Sequence, residues 1–167
     1  MNAVVVYESL WGNTAAIARA IAAGIGEGTP ALSTAEATAD RVIAADLIVA
    51  GAPILGFRLP TEQMRASTLT SLPSAAPKPD LSHPSMREWL EALPPANGGS
   101  FATFETRVWG PWGNSVKQIA KALKTAGYRP TGSADASMAF IVTGKYGPLR
   151  DGEVERARTW GSELARS

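Results

Sequence analysis

Val4-Val5-Val6-Tyr7-Glu8-Ser9-Leu10-Trp11-Gly12-Asn13-Thr14-Ala15-Ala16-Ile17-Ala18 reads as an apolar strand, a hydroxyl-bearing turn and the start of a helix. The unbroken β-branched run after Ala3 is that of a strand buried on both faces, as in the middle of a parallel sheet. A strand ending near Ser9 and a helix starting near Gly12 leave several backbone N–H groups unpaired, backed by about half a positive charge of helix dipole. That is a seat for phosphate. It lacks the Lys-Ser/Thr pair of a nucleotide P-loop, so its ligands are neutral: Ser9, Asn13 and Thr14, with small Gly12 letting the backbone close in. Such a seat suits one terminal phosphate monoester better than a nucleotide tail. An ordinary strand-to-helix turn capped by Ser9 or Asn13 is the plainer alternative.

Outward from this stretch, strands and helices alternate. A helix is predicted over Thr14 to Gly24, ended by Gly24, Gly26 and Gly28, with Ile17, Ile21 and Ile25 in one apolar row. A short edge strand follows at Ala31 to Ser33, a short helix at Ala39 to Ala45 and a buried strand at Asp46 to Gly51. Residues 61–82 are rich in proline, serine and threonine, and only their first few read as helical. Beyond them come a proline-led helix over Pro84 to Leu93, a strand over Gly99 to Phe104, a helix over Gly113 to Ala126, a strand over Ala136 to Thr143 and a last helix over Asp151 to Ala165. Five strands and five helices in alternation predict a parallel α/β sheet with right-handed crossovers and helices on both faces. The whole chain, 1–167, reads as a single domain with 61–82 inserted in it.

Bulk properties exclude several functions. A net charge of +1 and no basic run leave nothing to hold nucleic acid or an anionic membrane. With no cysteine, disulfides, thiolate catalysis and cysteine-bound metal clusters are excluded. The longest apolar run, Val42 to Leu55, is interrupted by Asp46 and too short to span a bilayer, and the first residues lack the basic start of a signal peptide. A soluble cytoplasmic protein is expected. The lone His83 before Pro84 reads as part of a solvated helix start.

In parallel sheets of this kind, ligands bind beyond the carboxyl ends of the strands, where strand order reverses. Three loops there have unusual content: Ser9 to Thr14, Ala52 to Arg58 and Glu105 to Gly113. Together they resemble the flavodoxin family, carriers that bind flavin mononucleotide (FMN). The first loop, Ser9-Leu10-Trp11-Gly12-Asn13-Thr14, is similar to that family's Thr-x-Thr-Gly-x-Thr phosphate loop, with Trp11 in place of the middle hydroxyl and Asn13 as a substitute donor. The second, Pro53-Ile54-Leu55-Gly56-Phe57, resembles the loop in which an aromatic residue covers one flavin face and a glycine turns its carbonyl toward the ring; Leu55 takes the aromatic position, Gly56 the glycine and Phe57 stands beside them. The third, with Thr106, Arg107, Trp109 and Trp112, puts Trp109 where the family often stacks a tyrosine and Trp112 at the start of the next helix.

The resemblance spans nearly the whole chain. It implies a flavodoxin-like doubly wound five-stranded parallel sheet of order 2-1-3-4-5, FMN as cofactor, and electron transfer with a redox partner protein, a reductase or an acceptor. Alternatives are a small FMN-dependent reductase of quinone-like substrates, with Arg58, Arg107 and Lys145 receiving an anionic substrate or a nicotinamide cofactor, and a flavin-free interaction domain. Receiver domains share the topology, but the third strand ends Val49-Ala50-Gly51-Ala52-Pro53 and lacks the aspartate that phosphotransfer requires. Carrier flavodoxins are usually acidic; here 16 basic side chains offset 15 acidic ones, so long-range steering to a basic partner is weak.

Overall fold

The apolar run that opens the chain forms β1 (Ala3–Tyr7) at the centre of a parallel sheet. A computed structural model describes residues 1–111, 113–132 and 136–167. After β1 come α1 (Asn13–Ile25), β2 (Ala31–Ser33), α2 (Ala39–Ile43), β3 (Leu47–Pro53), α3 (Glu62–Thr70), α4 (Met86–Glu91), β4 (Ser100–Val108), α5 (Ser115–Thr125), β5 (Arg129–Pro130), β6 (Ser137–Val142) and α6 (Glu153–Leu164). The sheet order is β2-β1-β3-β4-β5, as the resemblance implies, with every pairing parallel.

The fifth position is shared by two segments. β5 pairs with β4 at Ser100 and Phe101, and β6 pairs with it from Thr103 to Val108. That long second pairing carries β4 through Val108, beyond its expected end at Phe104, so Glu105, Thr106, Arg107 and Val108 are strand and not loop. β3 likewise runs on through Ala52 and Pro53, opposite Glu105 and Thr106.

Alternation along the strands sorts side chains onto two faces. Val4, Val6, Ile48, Ala50 and Phe101 pack with Met86 and Trp89 of α4 and Ile119 and Leu123 of α5. Val5, Leu47, Val49 and Phe104 pack with Ile17 and Ile21 of α1 and Trp160 and Leu164 of α6. Helices α1 and α6 approach closely enough that both contact points must be glycine: a Cβ on Gly24 would lie 2.0 Å from Arg158 O, and one on Gly161 2.2 Å from Ile21 O.

Two expectations fail in the segment between β3 and α4. Helix α3 covers nine residues where only a few were expected, because it is fixed by polar contacts and not by an apolar stripe: Thr61 caps Met64 N, and Arg65 and Thr68 are its buried residues. α4 starts two residues after Pro84, with Ser85 and Glu88 forming a reciprocal capping box. Among the described residues no helix is long and apolar enough to cross a membrane.

Candidate functional site

Helix α1 begins at the αL residue Gly12 (φ 88°), which offers no side chain to cap the first turn. The turn before it is held from two sides. On one, residues 77–83 run along it: Asp80 N donates to Leu10 O at 2.7 Å, Trp11 Nε1 to Pro77 O at 3.0 Å and His83 Nε2 to Ser9 O at 2.9 Å. On the other, Asn13 Nδ2 donates to Tyr146 O at 3.1 Å, and the Trp11 and Tyr146 rings meet edge to face at 5.0 Å between centroids. A Cβ on Gly147 would lie 2.6 Å from Asn13 Oδ1, so this approach needs glycine. Trp11 thus braces the loop between two neighbouring segments, in place of the hydroxyl the resemblance leads one to expect. His83 is buried here and not solvated as its sequence context suggested, because its ring nitrogen closes onto the Ser9 carbonyl.

A buried ionic cluster lies beneath the turn. Glu8 is fully buried and accepts from Met86 N at 2.8 Å, while Arg65 Nε stands 3.2 Å from Glu8 Oε1, off the hydrogen-bonding line. The same guanidinium donates from Nη1 to Glu62 Oε1 at 2.9 Å and from Nη2 to His83 O at 2.6 Å. Burial raises the Glu8 pKa, opposed by the Met86 N–H and then by the Arg65 charge. Glu105 on β4 is buried and raised for the same first reason; it accepts from Val116 N at 3.2 Å and so stabilises the start of α5.

The other two loops make the remaining walls. Leu55-Gly56-Phe57-Arg58 is a two-residue hairpin, with Leu55 N bonded to Arg58 O and Arg58 N to Leu55 O, both at 3.1 Å. Its two central residues have positive φ, 53° at Gly56 and 67° at Phe57, as a type I′ turn requires. Glycine accepts that conformation freely; phenylalanine does so at a cost. Beyond β4, Arg107 Nη1 donates to Gly110 O at 2.6 Å and closes a turn that presents Val108 and Trp109, 50% and 78% exposed. Phe57 is 65% exposed.

Between these walls lies a cleft of about 260 Å³. Leu10, Trp11, Asn13 and Thr14 line it from the first loop, Pro53, Ile54, Leu55, Gly56 and Phe57 from the second, and Thr106 and Arg107 from β4. Val108, Val142 and Lys145 complete the lining; Val108 belongs to the expected third loop and Lys145 was expected nearby, while Val142 announces itself only as the end of β6. Ser9 and Gly12 face a separate polar depression shared with Asp80 and His83. Trp109 stands outside the lining, and Arg58 is exposed at the end of the hairpin. Trp112 lies outside the described residues.

The donor set bears on whether FMN fits. Thr14 and Thr106 share one hydrogen bond at 2.7 Å between their hydroxyls, which occupies one proton of two. Ser9 Oγ accepts from Gly12 N at 3.1 Å, leaving its own proton, and Asn13 Nδ2 uses one of two protons on Tyr146 O. Three side-chain protons therefore remain uncommitted among the described residues beside the uncapped first turn of α1, those of Asn13 and the Thr14–Thr106 pair on residues that line the cleft and that of Ser9 on the neighbouring depression. A phosphate can be held by that set, and an apolar slot adjoins it for a flat ring.

The chain is similar in structure to a flavodoxin from the domain Archaea, with a TM-score of 0.65 at 22% identity, covering 99% of this chain and 97% of that one. Against oxidised flavodoxin 2 of Bacillus cereus the TM-score is 0.66 at 17% identity with 99% of both chains covered, and against a flavodoxin of Streptococcus pneumoniae TIGR4 it is 0.64 at 15%, covering 98% and 97%. No protein-family model matches the sequence, and no curated protein does. These likenesses establish the flavodoxin fold.

Proposed function

We propose that the cleft binds FMN and that the protein is a flavodoxin-like electron-transfer protein working with a redox partner. The observation that carries this reading is convergence: two loops and the end of β4, far apart in sequence, bring eleven of the residues expected to hold a flavin into one cleft at the carboxyl ends of β1, β3 and β4. The likeness to solved flavodoxins over nearly the whole chain supports it further.

The phosphate would rest on the α1 N–H groups with the free protons of Asn13 and the Thr14–Thr106 pair. Leu55, Gly56 and Phe57 on one side, with Val108 and Trp109 on the other, would flank the ring and keep water from it. Lys145 at the lining favours an anionic ligand. When bound, the flavin supplies the redox chemistry, and the protein supplies orientation and polarity.

Titrating FMN into the purified protein tests the proposal. Quenching of flavin fluorescence, with riboflavin binding more weakly than FMN and Thr14→Ala narrowing that difference, is the expected outcome. Protein that takes up no FMN at high micromolar concentration overturns it.

A further inference from the structure

On the opposite face of the hairpin root, α4 and α5 form the walls of a groove of about 900 Å³. Its floor is apolar, with Leu59 buried and Leu90, Leu93 and Ala126 half-buried against the core. Its rim is basic. Lys117 and Lys121 line it one turn apart on α5, and Lys124 lies on the adjoining side of that helix; all three are exposed, on a helix without an acidic residue. Among the described residues none of the three forms an ion pair, although the chain as a whole is nearly neutral. On the α4 side, Arg87 donates only to the carbonyls of Leu59 and Pro60, so its charge is uncompensated, and Glu91 is the lone carboxylate in the lining.

We propose that this groove is a docking site for an amphipathic acidic helix of a partner protein, its apolar face on Leu59, Leu90 and Leu93 and its carboxylates against Lys117 and Lys121. Charge complementarity selects the sign of the partner, and the recessed floor selects its form. A flat bilayer reaches the lysines but not the leucines, whereas a helix laid in the groove reaches both. No aromatic side chain lines the groove for a nucleic-acid base to stack on. The inference does not depend on a flavin. It does place the partner beside the cleft, because Leu59 N donates to Gln118 Oε1 at 2.8 Å and thereby ties the hairpin of Gly56 and Phe57 to the same helix α5.

The probe is a synthetic helical peptide with leucines on one face and glutamates on the other, added to the full-length isotope-labelled chain. The expected result is amide shift changes confined to α4, α5 and Leu59, with binding that weakens steeply as salt is added. Replacing both groove lysines (Lys117→Ala, Lys121→Ala) lowers affinity about fivefold, the order expected of two exposed ion pairs, whereas Lys124→Ala leaves it unchanged. The corresponding double Lys→Arg variant keeps it, and all of these variants fold with unchanged thermal midpoints. Equal binding by a lysine-for-glutamate peptide or by a scrambled peptide of the same composition overturns the proposal, as do shift changes elsewhere. Lysine-dependent binding to phosphatidylglycerol vesicles without binding to the peptide assigns the face to a membrane and overturns it as well.

Discussion

The two halves of the cleft are built on opposite plans. Around Ser9–Thr14 the chain is tied to distant segments, by its backbone to Asp80 and His83 and by its side chains to Pro77, Thr106 and Tyr146, over a buried ionic cluster. Around Phe57 and Trp109 the chain ends in two tight turns whose aromatic tips stand in solvent. A loop that relies on backbone N–H groups must hold them in place before a ligand arrives, so rigidity there is part of binding. A surface that covers a flat ring, or meets a partner, has to remain accessible. Substitutions in the first half should therefore register as stability, and substitutions in the second as binding.

The sharpest break of that contrast is Arg65→Met. It leaves Glu8 buried without a countercharge and removes the donors to Glu62 and His83, for an expected loss of about 3–5 kcal/mol in urea denaturation. Adding Glu8→Gln to the same variant should restore part of it, since the orphaned charge is then gone. A double variant no more stable than the single would show that the packing of Arg65, not its charge, holds the segment. Trp109→Ala should behave in the opposite manner: less than about 0.5 kcal/mol in stability, because the ring touches little, but roughly tenfold weaker FMN binding. Lost stability with unchanged FMN affinity would put Trp109 in the fold and not in the site.

A smaller effect of reversed sign is expected at the hairpin tip. Phe57 at φ 67° carries the strain of a bulky residue in the left-handed region, and Phe57→Gly should relieve about 1 kcal/mol of it, read as a raised denaturation midpoint. The same variant removes a ring from the cleft wall, so FMN affinity should fall as stability rises. A gain in both would separate the hairpin from the site.

What the chain shows before folding is local. Val4–Val6 and Leu47–Ala50 carry their burial in their own composition, and the turn at Ser9–Thr14 carries its offset between strand and helix, so the sheet and the first loop are readable directly. α3 is not, because Glu62–Thr70 has no apolar stripe and owes its place to Arg65 finding Glu8, a contact between the residue just after β1 and the helix that follows β3. His83 is misread for the same reason: its partner, the Ser9 carbonyl, lies 74 residues away and is backbone, leaving no residue type to signal it. The end of β4 depends on pairing with β6, which no property of Glu105–Val108 alone announces. Of the site, the lining from the three loops is legible through their resemblance to a flavodoxin; Val142 and the bracing by residues 77–83 and 146–147 are products of the tertiary fold.

Glu105 tests whether the two plans meet at the end of β4, since it sits between the cleft residue Thr106 and the start of α5. Its carboxylate is buried; the Val116 N–H and the Arg107 guanidinium, with Nε at 3.5 Å, offset part of that burial but leave the pKa raised above 4.5. A carboxyl whose folded pKa exceeds its unfolded one holds its proton more tightly in the native state. Its contribution to stability is then fully present below the unfolded pKa and is lost as pH rises through the folded value. Glutamine at this position is neutral throughout and keeps an oxygen to accept from Val116 N. Denaturation of Glu105→Gln and the parent at pH 4.5 and at pH 7 should thus show the difference between them moving in the variant's favour as pH rises. A difference that moves toward the parent would mean that Arg107 and the start of α5 hold the carboxylate in its charged form, making the end of β4 part of the tethered half of the cleft.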